Sequence, residues 1–349
     1  MKTFTTLDHM LMKGLIPTWL KRIAIRLMLE QRLFQSWYRR DAAETKMQMI
    51  RSLAESPLAL ATDTANNQHY EVPVEFFKHV LGPHMKYSCC HWDDETQNLA
   101  AAERAMLAKT LERAELKNGD KVLDLGCGWG SLTRYIAEHY PDCEITALSN
   151  SQLQQDMIRQ ECERLGYDKV TCIKADINQW QPDSKYDVII SIEMFEHVRN
   201  YAKLLKTLSS ALTKEGRLFI HHFCHERYVY PYDPEESSNW MAKHFFSHGL
   251  MPSEDLLLFF QHDVAVDNRW RVDGRHYAKT CQAWLENFYD NTQQIKEIFA
   301  HTLDDDEVEL TWHYWQLFFL ACQELFAKRG GRAWFVTHYL FRPQHGILV

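Results

Sequence analysis

Ser191-Ile-Glu-Met-Phe-Glu-His197 places two carboxylates three residues apart and an imidazole directly after the second. Beside an apolar strand such groups are costly to bury unpaired, so they pair, share protons or move them. The chemistry on offer is proton management, with Glu193, Glu196 and His197 as the groups that take a proton and pass it on. The competing reading is a solvated helix start with glutamate at the positive end of the helix dipole. The functional reading is preferred because the cluster closes a strand, where ligands of open parallel sheets sit.

A second group is the run Lys121-Val-Leu-Asp-Leu-Gly-Cys-Gly-Trp-Gly-Ser131. It reads as an apolar strand, a turn through Gly126, Gly128 and Gly130, and a helix start. Glycines allow the backbone to turn tightly and approach a bulky ligand, and the helix start offers free N–H donors. The spacing is not the G-x-G-x-x-G of dinucleotide sites. Leu148-Ser-Asn-Ser-Gln-Leu-Gln154 follows the next strand with Ser149, Asn150 and Gln154 as polar contacts; a helix N-cap at Ser149 or Ser151 is equally expected there. Ala175-Asp176-Ile177-Asn178 is either a contact for a flat base or an ordinary turn. His69-Tyr-Glu-Val-Pro73 and Lys86-Tyr-Ser-Cys-Cys-His-Trp92 precede the glycine turn and carry weak signals by themselves. A metal reading of His221, His222 and His225 is rejected, for want of a carboxylate set or ligand spacing.

These residues need a scaffold. From Lys121 onward, strands over 121–125, 144–148, 169–174, 186–192 and 216–223 alternate with helices near 130–139, 151–166 and 199–213. That alternation predicts an α/β fold, a parallel sheet with helices on both faces. Residues 225–262, rich in aromatics, His and Pro, read as an insertion roofing the site. A strand at 264–272, helices near 276–301 and 306–328 and a strand at 333–341 follow. The first 66 residues read as a helical extension closed by the polar stretch Thr62 to His69, with the main domain over 67–349.

Composition narrows the classes. Charged residues at 25% and aromatics at 13% suit a globular protein. Nine cysteines at irregular spacing, none in a C-x-x-C pair, argue against disulfides or zinc and for a reducing, cytoplasmic location. No apolar run reaches membrane-spanning length, and a signal peptide is not expected. Residues 1–51 hold ten Lys/Arg against four Asp/Glu, in a chain with net charge −8. Leu15, Trp19, Ile23, Leu27 and Leu33 lie among Lys21, Arg22, Arg26 and Arg32. One expectation is membrane-surface contact through residues 10–40. The preferred one is a helix packed on the main domain with its charges toward water. No nucleic-acid partner is expected.

Asp124-Leu-Gly-Cys-Gly-Trp-Gly-Ser131 resembles motif I of class I S-adenosylmethionine-dependent methyltransferases. With Tyr87-Ser-Cys89, Ser149…Gln154 and Met194-Phe-Glu-His-Val198 it is similar to the cyclopropane fatty acid synthase superfamily over roughly residues 69–341. Further matches resemble its coclaurine-type N-methyltransferases: Arg199-Asn-Tyr201, His221-His-Phe-Cys-His225, Phe245-Phe246, Met251-Pro-Ser253, Leu256-Leu-Leu258 and His276-Tyr-Ala-Lys-Thr280 with Trp284. The resemblance implies a Rossmann-like class I fold and S-adenosylmethionine held by Tyr87, Ser88, Gly126, Gly128, Ser149, Asn150, Gln154, Asp176 and Ile177. It implies Glu196 and His197 as aids to amine deprotonation and Glu193 as a substrate holder, with a small amine as acceptor. In the lipid-modifying members a bicarbonate ion is the base, and its holders match Cys89, Glu196, His221, Phe223 and Tyr277. Phe223 replaces a usual isoleucine. Glu193 and Arg199 stand where the synthases have a small residue and glycine, which favours the amine over the alternative, an alkene of a phospholipid acyl chain. A non-catalytic cofactor-binding protein is disfavoured, because both residue sets are intact. Phe245, Phe246, Trp240 and Trp334 are candidate walls for an apolar amine, or core.

Overall fold

The computed structural model describes residues 4–38, 42–59, 72–235 and 240–344. The polar stretch 62–69, the boundary at 66/67 and His69 to Glu71 lie outside the described residues.

Seven strands form one sheet in the order β3-β2-β1-β4-β5-β9-β8. They are β1 (Lys121–Leu125), β2 (Glu144–Ser149), β3 (Val170–Lys174), β4 (Tyr186–Ile192), β5 (Leu212–His225), β8 (Val264–Val272) and β9 (Trp334–Pro343). Strands β1 to β5 run parallel, and the order reverses beside β1, where β4 pairs on one side and β2 on the other. The expected parallel sheet is corrected at one edge. β9 runs antiparallel between β5 and β8, so the sheet is mixed. Strand β5 is also longer than 216–223, because pairing with β9 extends through His225↔Trp334. Such strands are buried on both faces and read as nearly unbroken apolar runs, as Leu218-Phe-Ile220 does, each residue fully buried.

Helices α6 (Ser131–His139), α7 (Gln152–Leu165) and α8 (Tyr201–Ala211) follow β1, β2 and β4 as expected. Two helices unassigned from sequence, α4 (Val74–Val80) and α5 (Leu99–Arg113), precede the sheet. The stretch 276–301 is broken into α10 (Gly274–Asp290) and α11 (Thr292–Ala300), and α12 covers Asp305–Ala327. The roof holds α9 (Trp240–His244) and the antiparallel pair β6 (Tyr230–Pro231) and β7 (Leu250–Met251).

The N-terminal helices are α1 (Thr6–Met12), α2 (Thr18–Tyr38) and α3 (Ala42–Glu55). Helix α2 packs on the main domain with Arg26 exposed, as expected, but not all of its charges face water. Lys21 is buried and donates to Gln316 Oε1 at 2.5 Å, and Arg22 and Arg26 both bond Glu324 at 2.7 Å. The face of α12 beneath carries an acid and an amide, so the cationic stripe is the complementary side. Trp19 and Leu27 are left outward, 63% and 65% exposed.

Candidate functional site

The cleft opens at the carboxyl ends of β1, β2 and β4. After β1 the chain turns through Gly126, Gly128 and Gly130, all at positive φ. A Cβ on Gly126 would lie 2.8 Å from Met194 Cγ, so glycine lets the β1 turn press against the end of β4. A Cβ on Gly128 would meet nothing within 4 Å, and the residue lines the cleft. At the end of β2, Ser151 is the N-cap of α7, accepting from Gln154 N–H, while Ser149 Oγ donates to Gln154 Oε1 at 2.7 Å. The N-cap expectation for this turn therefore holds at Ser151. Ser149, Asn150 and Gln154 line the cleft.

Tyr87, Ser88, Ala175 and Ile177 complete that wall. Asp176 does not line it; its Oδ1 accepts from the N–H and side-chain amide of Asn178, as in an ordinary turn. S-adenosylmethionine fits this lining on two observations. Gln154 Nε2 and Trp129 Nε1 are buried donors with no partner among the described residues, and both side chains border the cleft. The open cradle at Gly128 leaves room for a ligand against backbone.

The loop carrying Tyr87 to Trp92 is pinned from two sides. Glu103 of α5, unremarked in the sequence, accepts from the N–H groups of His84 and Lys86 at 3.0 and 3.1 Å. Burial pushes its carboxyl up to about 7. From α10, Thr280 Oγ1 accepts from Cys90 N–H and Trp92 Nε1–H, and His276 Nδ1 accepts from Trp92 N–H. His276-Tyr-Ala-Lys-Thr280 thus clamps the loop and aims Tyr277 into the site.

The end of β4 holds the acid–base group. Glu193 sits at φ 51°, a left-handed backbone that costs a side-chain-bearing residue about 1–2 kcal/mol. Its carboxylate accepts three hydrogen bonds: Cys89 N–H at 2.9 Å, His221 Nε2 at 3.2 Å and the Tyr277 hydroxyl at 2.5 Å. Glu196 is fully buried, with Oε1 accepting from Phe223 N–H at 2.7 Å and Oε2 unpartnered among the described residues. The Phe223 contact is through the backbone, so its side chain is free to differ from isoleucine. Burial raises both carboxyls, and Glu193 raises Glu196 further. Three donors favour keeping the charge on Glu193 and the proton on Glu196.

His197 lines the cleft, with its ring edge-to-face on Phe246 at 4.8 Å. Burial lowers its imidazole to about 4, so the ring is neutral at neutral pH. Glu196 does not line the cleft. The thiol of Cys89 is raised well above its ordinary value by burial, so its contribution to Glu193 is its backbone N–H.

The remaining candidates separate. Arg199 Nη2 donates to His248 and Gly249 carbonyls at 2.8 and 3.1 Å, bracing the roof. Trp334 is core and bonds Tyr230; Phe245 is buried, whereas Phe246 and Phe223 face each other near His197. His225 Nδ1 caps the turn at Arg227 and Tyr228, and both ring nitrogens of His222 are unpartnered among the described residues. Among the described residues no three His, Cys, Asp or Glu side chains group to hold a metal.

Comparison with known proteins places this geometry. The mycolic acid cyclopropane synthetase family model matches residues 60–334. The chain is 35% identical to (S)-coclaurine N-methyltransferase of Thalictrum flavum subsp. glaucum over 95% of this chain and 93% of that protein. It is 32% identical to the cyclopropane-fatty-acyl-phospholipid synthase of Escherichia coli (strain K12), over 68% of this chain and 62% of that one. The crystal structure of a coclaurine N-methyltransferase bound to N-methylheliamine and SAH superposes with TM-score 0.92 at 35% identity, covering 96% of this chain and 98% of that chain.

Proposed function

We propose that this chain, which belongs to the mycolic acid cyclopropane synthetase family and is an S-adenosylmethionine-dependent methyltransferase, methylates the nitrogen of a small amine. The observation that carries this reading is what surrounds Glu193. Cys89, His221 and Tyr277, three of the residues matching bicarbonate holders in lipid-modifying relatives, all bond the Glu193 carboxylate. A side-chain carboxylate thus takes the place of the ion, and the alkene reading loses its base. Identity to N-methyltransferases along nearly the whole chain supports the same acceptor class.

S-adenosylmethionine supplies an already activated methyl group, so the protein's work is alignment, exclusion of water and handling of one proton. Tyr87, Ser88, Gly126, Gly128, Ser149, Asn150, Gln154 and Ile177 are the residues to hold it, with Asp176 shaping the turn beneath. An amine of pKa about 10 is free base in only about one part per thousand at pH 7. The buried anion of Glu193 draws the ammonium form toward the end of β4. His197, neutral and on the cleft wall, relays the proton from the nitrogen out along the cleft to solvent without keeping it, which frees the lone pair. Glu196, holding its own proton, keeps a second negative charge out of the site. Phe246 and Phe223 offer an apolar wall to the rest of the acceptor.

No helix among the described residues is long and apolar enough to cross a membrane. The nine free cysteines fit a reducing, cytoplasmic setting. The test is product formation from methyl-labelled S-adenosylmethionine with a panel of amines and, in parallel, unsaturated-phospholipid vesicles, with and without bicarbonate. Label on amines, indifferent to bicarbonate, is expected. Label confined to lipid, or strict dependence on bicarbonate, overturns the reading.

A further inference from the structure

Behind Glu193 lies a chain of buried polar contacts that the proton-transfer step does not use. His221 on β5 faces His338 on β9, with 2.9 Å between His221 Nδ1 and His338 Nε2. His338 Nδ1 in turn lies 2.8 Å from Nη1 of Arg113, the last residue of α5. Arg113 is half-buried with its guanidinium over the Trp270 ring, 5.1 Å from the centroid. Both imidazoles are fully buried.

The direction of every bond in this chain is fixed by its outer end. A guanidinium only donates, so His338 Nδ1 must present its lone pair and carry its hydrogen on Nε2. That hydrogen points at His221 Nδ1, which must also present a lone pair. His221 therefore carries its hydrogen on Nε2, aimed at Glu193 Oε1. We infer that Arg113 and His338 are positioning residues that lock His221 in its Nε2–H tautomer, making it a permanent donor to Glu193. This is the tautomer-setting role that outer partners play at other histidine sites.

The same logic denies the chain a role as a proton wire. A proton entering from Glu193 would have to end on His338 Nδ1, against the N–H of a guanidinium, with Lys86 as a second nearby cation opposing it. The proton taken from an acceptor thus leaves along the cleft past His197. The link to methyl transfer rests on the proposed role of Glu193, but the tautomers themselves do not.

The test is ¹⁵N-histidine labelling of the full-length enzyme, reading ring tautomers by long-range ¹H–¹⁵N correlation. Signals of His221 and His338 are assigned by their loss in His221→Gln and His338→Gln. Both rings are expected as Nε2–H in the wild type. Arg113→Met should shift His338 toward Nδ1–H and lower kcat at least tenfold, with S-adenosylmethionine affinity within twofold. Arg113→Lys, which keeps a donor, should restore the tautomer and part of kcat. An Nδ1–H ring in the wild type, or unchanged tautomers in Arg113→Met whatever its activity, overturns the inference. If Arg113→Met does not fold, the wild-type tautomers together with Arg113→Lys decide it. The spectra need no acceptor, so they remain decisive even if no amine is methylated.

Discussion

Tyr277, on the first turn of α10, donates its hydroxyl hydrogen to Glu193 Oε2 at 2.5 Å, joining the C-terminal part of the chain to the end of β4. A hydrogen bond to the charged form of a carboxylate lowers its pKa, so removing it must raise it. Tyr277→Phe retains the ring stacked on Phe326 and loses only the donor. The expected result is a kcat/KM roughly 10- to 100-fold lower, and an acid limb of the pH–rate profile moved to higher pH. An unmoved limb would place the phenol outside the proton economy of the site.

Glu193→Gly tests the carboxylate directly. Glycine suits the left-handed backbone at φ 51°, a gain of about 1 kcal/mol. That gain offsets only part of the cost of leaving three buried donors without their acceptor, so folding stability should fall modestly. Amine methylation should fall by roughly two to three orders of magnitude. Added bicarbonate, able to meet the same three donors, should recover part of it; a variant as active as the wild type would remove Glu193 from the mechanism.

His197→Ala should cut turnover while leaving cofactor affinity within a few fold, measured by calorimetry. Glu196→Gln, the neutral isostere of a protonated carboxyl that keeps an acceptor for Phe223 N–H, should leave both within a few fold. His197, with its imidazole lowered to about 4, stays unprotonated down to about pH 5, so its part in activity should persist to that pH. Activity lost already through pH 6.5 would point to an ordinary imidazole or another base. Equal loss of turnover and cofactor binding would make these residues parts of the cofactor wall.

Gly128→Ala should separate cofactor binding from fold. Nothing lies within 4 Å of the added methyl, so its costs are the strain of φ 53°, about 1 kcal/mol, and intrusion into the ligand's space. Cofactor affinity should fall at least tenfold with Tm nearly unchanged. A large drop in Tm with normal affinity would contradict the cradle.

His222 gives a pH-dependent stability prediction. It is fully buried with no hydrogen-bond partner at either ring nitrogen among the described residues, and burial lowers its pKa to about 3. The unfolded chain then binds the extra proton between about pH 6.5 and 3, so this residue costs stability as pH falls through that window. Each pH unit well inside it costs about 1.4 kcal/mol. His222→Phe removes the term, so the Tm advantage of the variant should widen from pH 7 to pH 5. A constant difference would mean the ring is already satisfied.

Much of this molecule can be read along the chain. The strand–glycine–helix pattern around Gly126 and the alternation through β5 follow from local periodicity and turn chemistry, because parallel strands must be apolar and tight turns need glycine. The cluster Glu193, Glu196 and His197 is equally plain, since costly residues stand together in sequence. Tertiary structure alone decides what those residues do. Glu193 receives donors from positions 89, 221 and 277, and only the register of β5 on β9 brings His338 behind His221. Glu103 and Arg113 lie in a helix whose pattern is that of any partly buried surface helix, so nothing local marked them. Lys21 of α2 turned inward, and Arg22 and Arg26 found a carboxylate, because of a partner face, Gln316 and Glu324 on α12, that lies nearly three hundred residues away in sequence. Hydrophobic patterning fixes which segments form elements; electrostatic complementarity between distant faces fixes which side of each is buried and which carboxylate keeps its charge.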